Sequence, residues 1–365
     1  MELRSYFFTG FPGFICNQLI REVWNTNPAE KIIVLVVPSM LEKAEKEKEK
    51  ILQEFQLSSE RFQIIQGDIT DPTLFNLTDQ EREQLNKEIT HVFHLAAIYD
   101  LAVPKDIAYR VNVNGTHNIN EWVKQLPHIE RYTYFSTAYV AGLREGILYE
   151  NELIKPERYK NYYEETKYEA ELLVEELKKE KPVTIIRPGI VKGHTQTGET
   201  IKFDGPYFIL HFFNRLRFLP FIPYLGSSNT VINLVPIDYI LKATTYLSFH
   251  PNGEGKTYHL TDPNPYSVTN IYEFLMKELL QKTPKGTLPL GLAKFFLQFK
   301  LIQRLLKVER EALDYFEWHG RFDCTNAQND LKGSGIYCPD FKEGLKAMVS
   351  FYEKNKNKQE YQIKI

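Results

Sequence analysis

Several features that mark particular classes of protein are scarce or missing in this sequence. Only three cysteines, Cys16, Cys324 and Cys338, occur among 365 residues. They form no even set for a disulfide framework and lack the spacing of a metal site. The sequence therefore predicts no metal centre and a reduced, cytoplasmic protein. The formal net charge is −2, which provides no basic surface for a nucleic acid.

Long apolar runs are missing as well. No stretch reaches the roughly 20 residues that a transmembrane helix needs, and the N-terminus enters an apolar strand without the basic region and leader of a signal peptide. Aromatic residues, in contrast, make up 13% of the chain, and they crowd into its second half. Their abundance indicates a large apolar pocket or a membrane-facing surface.

The first half of the chain alternates apolar strands with helices. Helices are predicted from Ile15, over 41–56, from Asp71-Pro72 and over 112–126. The predicted strands cover 6–8, 31–37, 62–65, 90–95, 132–136 and 184–187. Strands that alternate with helices in this way build a doubly wound parallel sheet of the α/β class.

The second half has a different character. An aromatic stretch covers 206–224, and the apolar segment 288–306 is predicted as an amphipathic helix that packs on the body, in preference to membrane contact. The sequence therefore divides into an α/β domain over 1–200 and a smaller, mostly helical substrate lobe over 201–355. Segments near 231–240 and 256–262 return to the sheet, and a flexible tail covers 356–365.

The clearest local signal lies directly after the first strand. The residues Thr9-Gly10-Phe11-Pro12-Gly13-Phe14 form a Gly-x-x-Gly turn that opens a helix. Glycines let backbone N–H groups approach a phosphate, and the helix N-terminus adds the positive end of its dipole. Cys16 stands where a third glycine is usual. The turn favours a dinucleotide site over an ordinary strand–turn–helix.

A second signal is the pair Tyr163 and Lys167. The two residues are one helical turn apart and share a face. A lysine ammonium beside a tyrosine and a ribose favours the phenolate and lowers the tyrosine pKa, which makes a general acid or base near neutral pH. The structural alternative is a lysine that extends to solvent beside a tyrosine at a helix start.

A third signal is Ser136-Thr137, at the end of the predicted fifth strand. Hydroxyl groups at the carboxyl end of such a strand face the crevice in which doubly wound sheets bind ligands. A hydroxyl there can hold a carbonyl oxygen while a tyrosine transfers the proton, although Ser and Thr also cap turns. The glycine turn, the hydroxyls and the Tyr/Lys pair follow one another in this order, which is far less probable by chance than any one of them alone.

Together these motifs resemble those of the extended short-chain dehydrogenase/reductases, and in particular the fatty acyl-CoA reductase, or male sterility, branch with its thioester reductase domains. The resemblance covers most of the first 240 residues and implies a Rossmann fold. Its motifs are the glycine turn, Gly67-Asp68-Ile69, His94-Leu95-Ala96-Ala97, Asn112-Val113-Asn114-Gly115-Thr116, Ser136-Thr137-Ala138-Tyr139-Val140, Tyr163/Lys167, Arg187-Pro188-Gly189-Ile190-Val191 and Asn233-Leu234-Val235-Pro236.

The resemblance also implies roles for individual residues. Thr137, Tyr163 and Lys167 would form the catalytic triad. The implied cofactor-binding residues are Thr9, Gly10, Phe11, Pro12, Gly13, Phe14, Asp68, Ile69, Leu95, Ala96, Ala97, Asn112, Ser136, Tyr163, Lys167, Pro188, Gly189, Ile190 and Val191. Structural alternatives stay open: Asp68 as a turn residue, Asn112 as a helix cap and Pro188 as a strand terminator. For His94 we prefer a hydrogen-bonded core histidine.

The cofactor type depends on the end of the second strand. That strand ends Val36-Val37-Pro38-Ser39, with neither the acid typical of NAD binding nor the arginine typical of NADP binding. Without an acid nothing repels a phosphate, and Ser39 and Lys43 could contact one. The sequence therefore favours NADP(H) over NAD(H).

The predicted function is NAD(P)H-dependent reduction of an acyl thioester or carbonyl of an apolar, long-chain substrate, with Tyr163 as the proton donor. Two alternatives stay open. The first is an epimerase, dehydratase or hydroxy-dehydrogenase of the same superfamily that holds its nucleotide tightly. The second is a nucleotide-sensing protein without catalysis, which the intact Thr137, Tyr163 and Lys167 disfavour. Peripheral membrane contact and a homodimer are also left open.

Overall fold

The computed structural model describes residues 4–99, 103–226, 229–306 and 310–362. The strands are β1 (Ser5–Thr9), β2 (Lys31–Val36), β3 (Phe62–Gln66), β4 (Ile89–His94), β5 (Arg131–Phe135), β6 (Gly146–Leu148), β7 (Val183–Pro188), β8 (Ile190–Lys192), β9 (Tyr224–Leu225), β10 (Leu234–Pro236), β11 (Thr257–Leu260), β12 (Thr287–Leu288) and β13 (Gly320–Phe322).

The helices alternate with these strands and become dense in the second half. They are α1 (Phe14–Thr26), α2 (Leu41–Glu54), α3 (Asp79–Glu88), α4 (Lys105–Ala108), α5 (Gly115–Lys124), α6 (Tyr162–Leu177), α7 (Tyr207–Leu216), α8 (Ile237–Phe249), α9 (Val268–Leu280), α10 (Leu290–Leu297), α11 (Lys300–Leu306), α12 (Thr325–Leu331) and α13 (Leu345–Asn355). A π-helical turn, Tyr109–Asn114, leads into α5.

Seven strands form one parallel sheet in the order β11-β7-β5-β4-β1-β2-β3. The chain builds outward from β1 through β2 to β3, and then returns to place β4 on the other side of β1. The strand order therefore reverses between β1 and β4. In doubly wound sheets this point opens a crevice at the carboxyl ends of the strands, where ligands bind.

Helices cover both faces of the sheet, as the alternation in β1 illustrates. Tyr6 and Phe8 pack into the core beneath α1, α2 and α8, whereas Phe7 packs into the core beneath α5 and α6. All three rings are fully buried. A strand buried on both faces needs an uninterrupted apolar run, which β1 and β2 provide. The predicted doubly wound α/β fold is confirmed.

The second half adds a mostly helical lobe with its own core. Phe208 and Phe213 of α7, Ile271 and Leu275 of α9 and Met348 of α13 belong to this core. β11 joins the edge of the main sheet beside β7, whereas β10 pairs with β8 in a separate two-stranded ladder. The division of the chain near residue 200 stays a prediction.

Two sequence predictions of helices were wrong in detail. The helix expected from Asp71-Pro72 begins at Asp79, because the hydroxyl of Thr78 and the carboxylate of Glu81 form a capping box there. The single amphipathic helix expected over 288–306 is the short strand β12 followed by two helices, α10 and α11. In the segment predicted as a tail, the carbonyl of Tyr361 accepts a hydrogen bond from the backbone of Phe203 at 2.9 Å.

Candidate active site

A cavity of about 1180 Å³ opens at the carboxyl ends of β1, β4, β5 and β7 and extends into the lobe. It brings nearly all of the predicted site residues together. Its wall contains Thr9, Gly10, Phe11, Pro12, Gly13, Phe14, Asp68, Ile69, Leu95, Ala96, Ala97, Ser136, Thr137, Tyr163, Lys167, Pro188, Gly189, Ile190 and Val191. Asn112 is the one predicted residue outside this wall.

The glycine turn forms one end of the cavity. Gly10 has φ +93°, and a Cβ on it would lie 3.0 Å from the backbone nitrogen of Ala96. A Cβ on Gly13 would lie 2.6 Å from the Gly10 carbonyl oxygen, which accepts a hydrogen bond from the Gly13 N–H at 2.7 Å. Both positions therefore require glycine. Cys16 is buried in α1 at the cavity wall, so the helix packs against the sheet with this side chain in place of the usual glycine.

The same end of the cavity fits the phosphates of a dinucleotide. Gly13 precedes α1, and no side chain of the described residues caps that helix. Phe14, Ile15 and Cys16 of its first turn line the cavity. Uncapped N–H groups and the positive end of the helix dipole are the donors that bind a pyrophosphate. NAD(P) bound here would supply the hydride for a reduction.

Hydrogen bonds among buried side chains hold the strand ends in place. The Thr9 hydroxyl is 2.7 Å from Nδ1 of His94 and accepts from the Ala96 N–H at 3.1 Å. Nε2 of His94 is 3.1 Å from the Thr116 hydroxyl. Burial lowers the pKa of His94 to about 3. His94 is therefore a neutral histidine within the core, as the sequence favoured.

Asn112 lies behind the cavity wall and forms hydrogen bonds that support it. Its amide accepts from the Ile98 N–H at 2.8 Å and donates to the Thr166 hydroxyl at 2.9 Å. These bonds join the loop after β4 to α6. The side chain therefore supports the wall and does not face the cavity.

The predicted catalytic hydroxyls meet at the centre of the cavity. Thr137 follows β5, and its hydroxyl contacts the phenol of Tyr163 and accepts from the backbone N–H of Tyr139. Burial raises the pKa of Tyr163, the carboxylate of Glu164 raises it further, and the bond to Thr137 opposes both. Tyr163 is therefore protonated at neutral pH, which is the form that can donate a proton.

Lys167 lies one turn further along α6, as predicted, but its ammonium has other partners. Nζ donates to the phenolic oxygen of Tyr134 at 2.8 Å and to the Phe135 carbonyl at 2.6 Å. Burial lowers the pKa of Lys167 to about 7, and Glu171 acts against that shift. The expected lowering of the Tyr163 pKa by this lysine does not appear, since burial dominates at the phenol.

A buried ion pair, which the sequence motifs did not indicate, supports the end of β5. The carboxylate of Glu171 bonds to the Arg187 guanidinium through Nε at 2.8 Å and also accepts from the Ser136 hydroxyl. Both charged side chains are almost completely buried. The pair therefore fixes Ser136, and with it the end of β5 that carries Thr137. Only the position of Glu171, one turn after Lys167, could have suggested it.

Glu164 is another charged residue that the sequence did not indicate. It is fully buried and lines the cavity beside Tyr163. Its carboxylate accepts from the Tyr315 hydroxyl at 3.1 Å and from the Lys160 backbone at 3.1 Å. Nζ of Lys160 lies 4.4 Å from the centre of the Trp318 ring. This cluster fastens Tyr315 and Trp318 of the lobe to the start of α6, which carries Tyr163.

The far end of the cavity is apolar. Side chains from several segments of the lobe form this part of the wall, among them Phe208, Phe212, Leu288, Phe296, Leu306 and Phe316. The cavity therefore joins a polar, hydroxyl-bearing centre to a long hydrocarbon-like compartment. Such a shape suits a substrate with a reactive polar group and an extended apolar chain.

A doubly wound sheet with a glycine turn at its switch point, a threonine after β5 and a Tyr/Lys pair on α6 defines a class of protein. This arrangement is that of an NAD(P)-dependent oxidoreductase of the extended short-chain dehydrogenase/reductase type.

Comparisons with known proteins specify the family. Residues 8–244 match the male sterility protein family. The chain is 26% identical over 300 residues to the non-canonical nonribosomal peptide synthetase cpsA of Aspergillus campestris, covering 78% of this chain and 28% of that protein. It is 22% identical over 354 residues to the alcohol-forming fatty acyl-CoA reductase of Simmondsia chinensis, covering 75% of this chain and 70% of that enzyme.

A solved structure agrees with these relatives. The terminal R domain from the myxalamid PKS-NRPS biosynthetic pathway superimposes with a TM-score of 0.81 and 25% identity, over 99% of this chain and 93% of that domain. The chain belongs to the male sterility protein family, and it is an NAD(P)-dependent reductase. The resemblance stated from the motifs is confirmed, while the roles of the individual site residues stay predictions.

Proposed function

We propose that this chain reduces the thioester of a long apolar acyl chain with NADPH as the cofactor. The observation that carries the proposal is the position of Thr137 and Tyr163 at the junction between the uncapped end of α1 and the apolar compartment of the lobe. The peptide synthetase and the fatty acyl-CoA reductase named above support the substrate class.

The side chains assign a role to each group. The carbonyl oxygen of the thioester accepts hydrogen bonds from the Thr137 and Tyr163 hydroxyls. The bound nucleotide would supply the hydride to the carbonyl carbon, and the phenol of Tyr163 would give its proton to the developing alkoxide. Burial and Glu164 keep this phenol protonated. Lys167 holds the end of β5 through the Phe135 carbonyl and lies at the wall where the nicotinamide ribose would bind.

The preference for NADPH rests on the residues that follow β2, at the opening of the cavity where the adenosine part of the nucleotide would bind. Val37 and Met40 line the cavity there, and no acidic side chain ends β2 to repel a phosphate. Ser39 and Lys43 are exposed beside these residues. A 2′-phosphate would therefore meet one hydroxyl and one ammonium at this opening. A homodimer stays a prediction from the sequence.

The test is cofactor oxidation by the purified chain with a long-chain acyl-CoA and with the matching aldehyde. We expect NADPH consumption with the thioester, and a loss of 10³-fold or more in turnover for Tyr163→Phe with nucleotide binding retained. Tyr162→Phe is the matched control, because Tyr162 is 43% exposed and precedes the catalytic residue. Consumption with the aldehyde alone would identify a carbonyl reductase, and full turnover by Tyr163→Phe would overturn the role of the phenol.

A further inference from the structure

Helix α10 and the short link that follows it carry an apolar stripe on their outer side. Leu292, Phe295, Phe296 and Phe299 recur at helical spacing, and they are 43%, 55%, 45% and 51% exposed. The ring of Phe295 lies 5.9 Å from the ring of Phe296 and 5.9 Å from that of Phe299, so the three form one continuous aromatic surface. Leu301, in the first turn of α11, is 80% exposed beside it in the chain. A contiguous apolar surface of this kind marks a site of interaction.

The inner sides of the same two helices are also apolar. Leu290, Ala293 and Leu297 of α10 pack into the core of the lobe. Ala293, Leu297 and Ile302 line the cavity. The α10–α11 hairpin, residues 290–306, is therefore the wall between the apolar compartment and the exterior. Of the outer stripe only Phe296 also lines the cavity, whereas Leu292, Phe295 and Phe299 form no part of its wall.

The charged side chains that this segment itself carries are all basic, and the acidic neighbours that the structure describes lie at Lys294. Residues 281–306 contain Lys282, Lys285, Lys294, Lys300 and Arg304 and no aspartate or glutamate, in a chain whose net charge is −2. Lys294 pairs with Asp314 and Glu317. Lys285 and Lys300 are exposed and form no ion pair with any residue that the structure describes. A phenylalanine stripe flanked by lysines is the pattern of a surface that lies in the interface of an anionic bilayer.

We propose that the outer face of the α10–α11 hairpin docks on the surface of an anionic lipid bilayer. This inference rests on the proposed function, because the use of such docking would be to place the wall of the acyl compartment against the lipid phase. A second copy of the chain fits this surface less well, because a twofold contact would bring the same cations face to face. Within the described ranges no helix is long and apolar enough to cross a membrane, so the contact would be peripheral.

The test is co-sedimentation of the full chain with vesicles of phosphatidylcholine alone and of phosphatidylcholine with phosphatidylglycerol. We expect binding to the anionic vesicles that falls at least tenfold in high salt. The double variant Phe295→Ser/Phe299→Ser and the double variant Lys285→Glu/Lys300→Glu should each weaken it by about tenfold or more. Tyr337→Ser, which removes a ring that is 69% exposed elsewhere, is the control and should bind as the wild type does.

The outcomes separate this inference from the catalytic proposal. Vesicle binding needs no turnover, and both double variants should keep wild-type activity on a short, water-soluble thioester. Equal binding by all variants would overturn the assignment of the face, and failure of the wild type to bind anionic vesicles would overturn the inference altogether. Concentration-dependent dimerisation that Phe295→Ser/Phe299→Ser abolishes would identify a second copy as the occupant instead.

Discussion

The ammonium of Lys167 donates to the phenolic oxygen of Tyr134 at 2.8 Å and lies 4.3 Å from the centre of the Tyr134 ring. With the Phe135 carbonyl as its other partner, the charge is held by the strand that precedes Thr137. The lysine is fully enclosed, and burial lowers its pKa to about 7. Burying this ammonium lowers the stability of the folded state, because a charged group is transferred out of water.

The buried charge of Lys167 lowers the free energy of unfolding by an amount that depends on pH. We expect Lys167→Met to remove this penalty. The folded pKa is about 7, whereas the unfolded chain keeps the ordinary lysine value. The unfolded state therefore binds more protons between these values, and wild-type stability rises with pH across that window by about 1.4 kcal/mol per unit at most. The penalty is complete below pH 7 and shrinks above it.

Urea unfolding of both proteins at pH 6, 7.5 and 9 checks this expectation. Methionine cannot make the two hydrogen bonds of Lys167, which lowers the stability of the variant by a similar amount at each pH. The informative quantity is therefore the change with pH in the difference between the two unfolding free energies, and not the size of that difference. The difference should shift in favour of the wild type as the pH rises. A constant difference would contradict the buried charge, and exposed Lys43→Met should give a constant one.

The buried pair Glu171 and Arg187 leads to a second prediction. Arg187→Met leaves the Glu171 carboxylate buried without its counter-ion, which should cost about 3–5 kcal/mol of stability. The double variant Glu171→Gln/Arg187→Met should recover part of this loss, because it removes the buried carboxylate that Arg187→Met leaves without its guanidinium. Arg144→Met is the matched control: its pair with Glu152 is 23% and 29% exposed, so we expect a loss of about 1 kcal/mol or less. Chemical denaturation of the four proteins measures these differences, and equal losses in both single variants would contradict the argument.

The sequence predicted the parts of the site that depend on local pattern. The glycine turn, Thr137, Tyr163 and Lys167 could be located because each follows a strand or lies on one helical face, and the parallel sheet brings them together. Glu164 and Glu171 could not, since a carboxylate on a charged helix is normally solvated. Their burial depends on contacts with Tyr315 and Arg187, which lie 151 and 16 positions away.

The errors in the fold have equally physical origins. Asp71-Pro72 suggested a helix start, but the Asp71 carboxylate accepts from the Thr73 N–H within a turn, and the reciprocal capping at Thr78 decides the start. Apolar periodicity continues through 288–306, and it does not reveal that the chain leaves the helix between Leu297 and Lys300.

A third prediction concerns the close approach of the glycine turn to β4. Gly10→Ala would place a Cβ 3.0 Å from two backbone atoms of Leu95 and Ala96 and would also strain a φ of +93°. We expect a loss of about 2 kcal/mol or more in stability and weaker nucleotide binding. Gly286→Ala separates the two effects, because Gly286 has φ +75° with nothing within 4 Å of the added Cβ. If both variants lose the same stability in thermal unfolding and bind nucleotide equally well, the backbone approach at Gly10 is unimportant.

A fourth prediction tests the cofactor preference at the end of β2. Lys43→Glu replaces the exposed ammonium beside Val37 and Met40 with a carboxylate, which would repel a 2′-phosphate and leave a ribose hydroxyl unaffected. We expect the KM for NADPH to rise about tenfold, equivalent to about 1.4 kcal/mol, with little change in the KM for NADH. Lys46→Glu is the control, because Lys46 lies one turn further along α2 in an exposed pair with Glu42. Steady-state kinetics with both nucleotides decide the matter: an unchanged NADPH/NADH ratio in Lys43→Glu would mean that this lysine does not contact the phosphate.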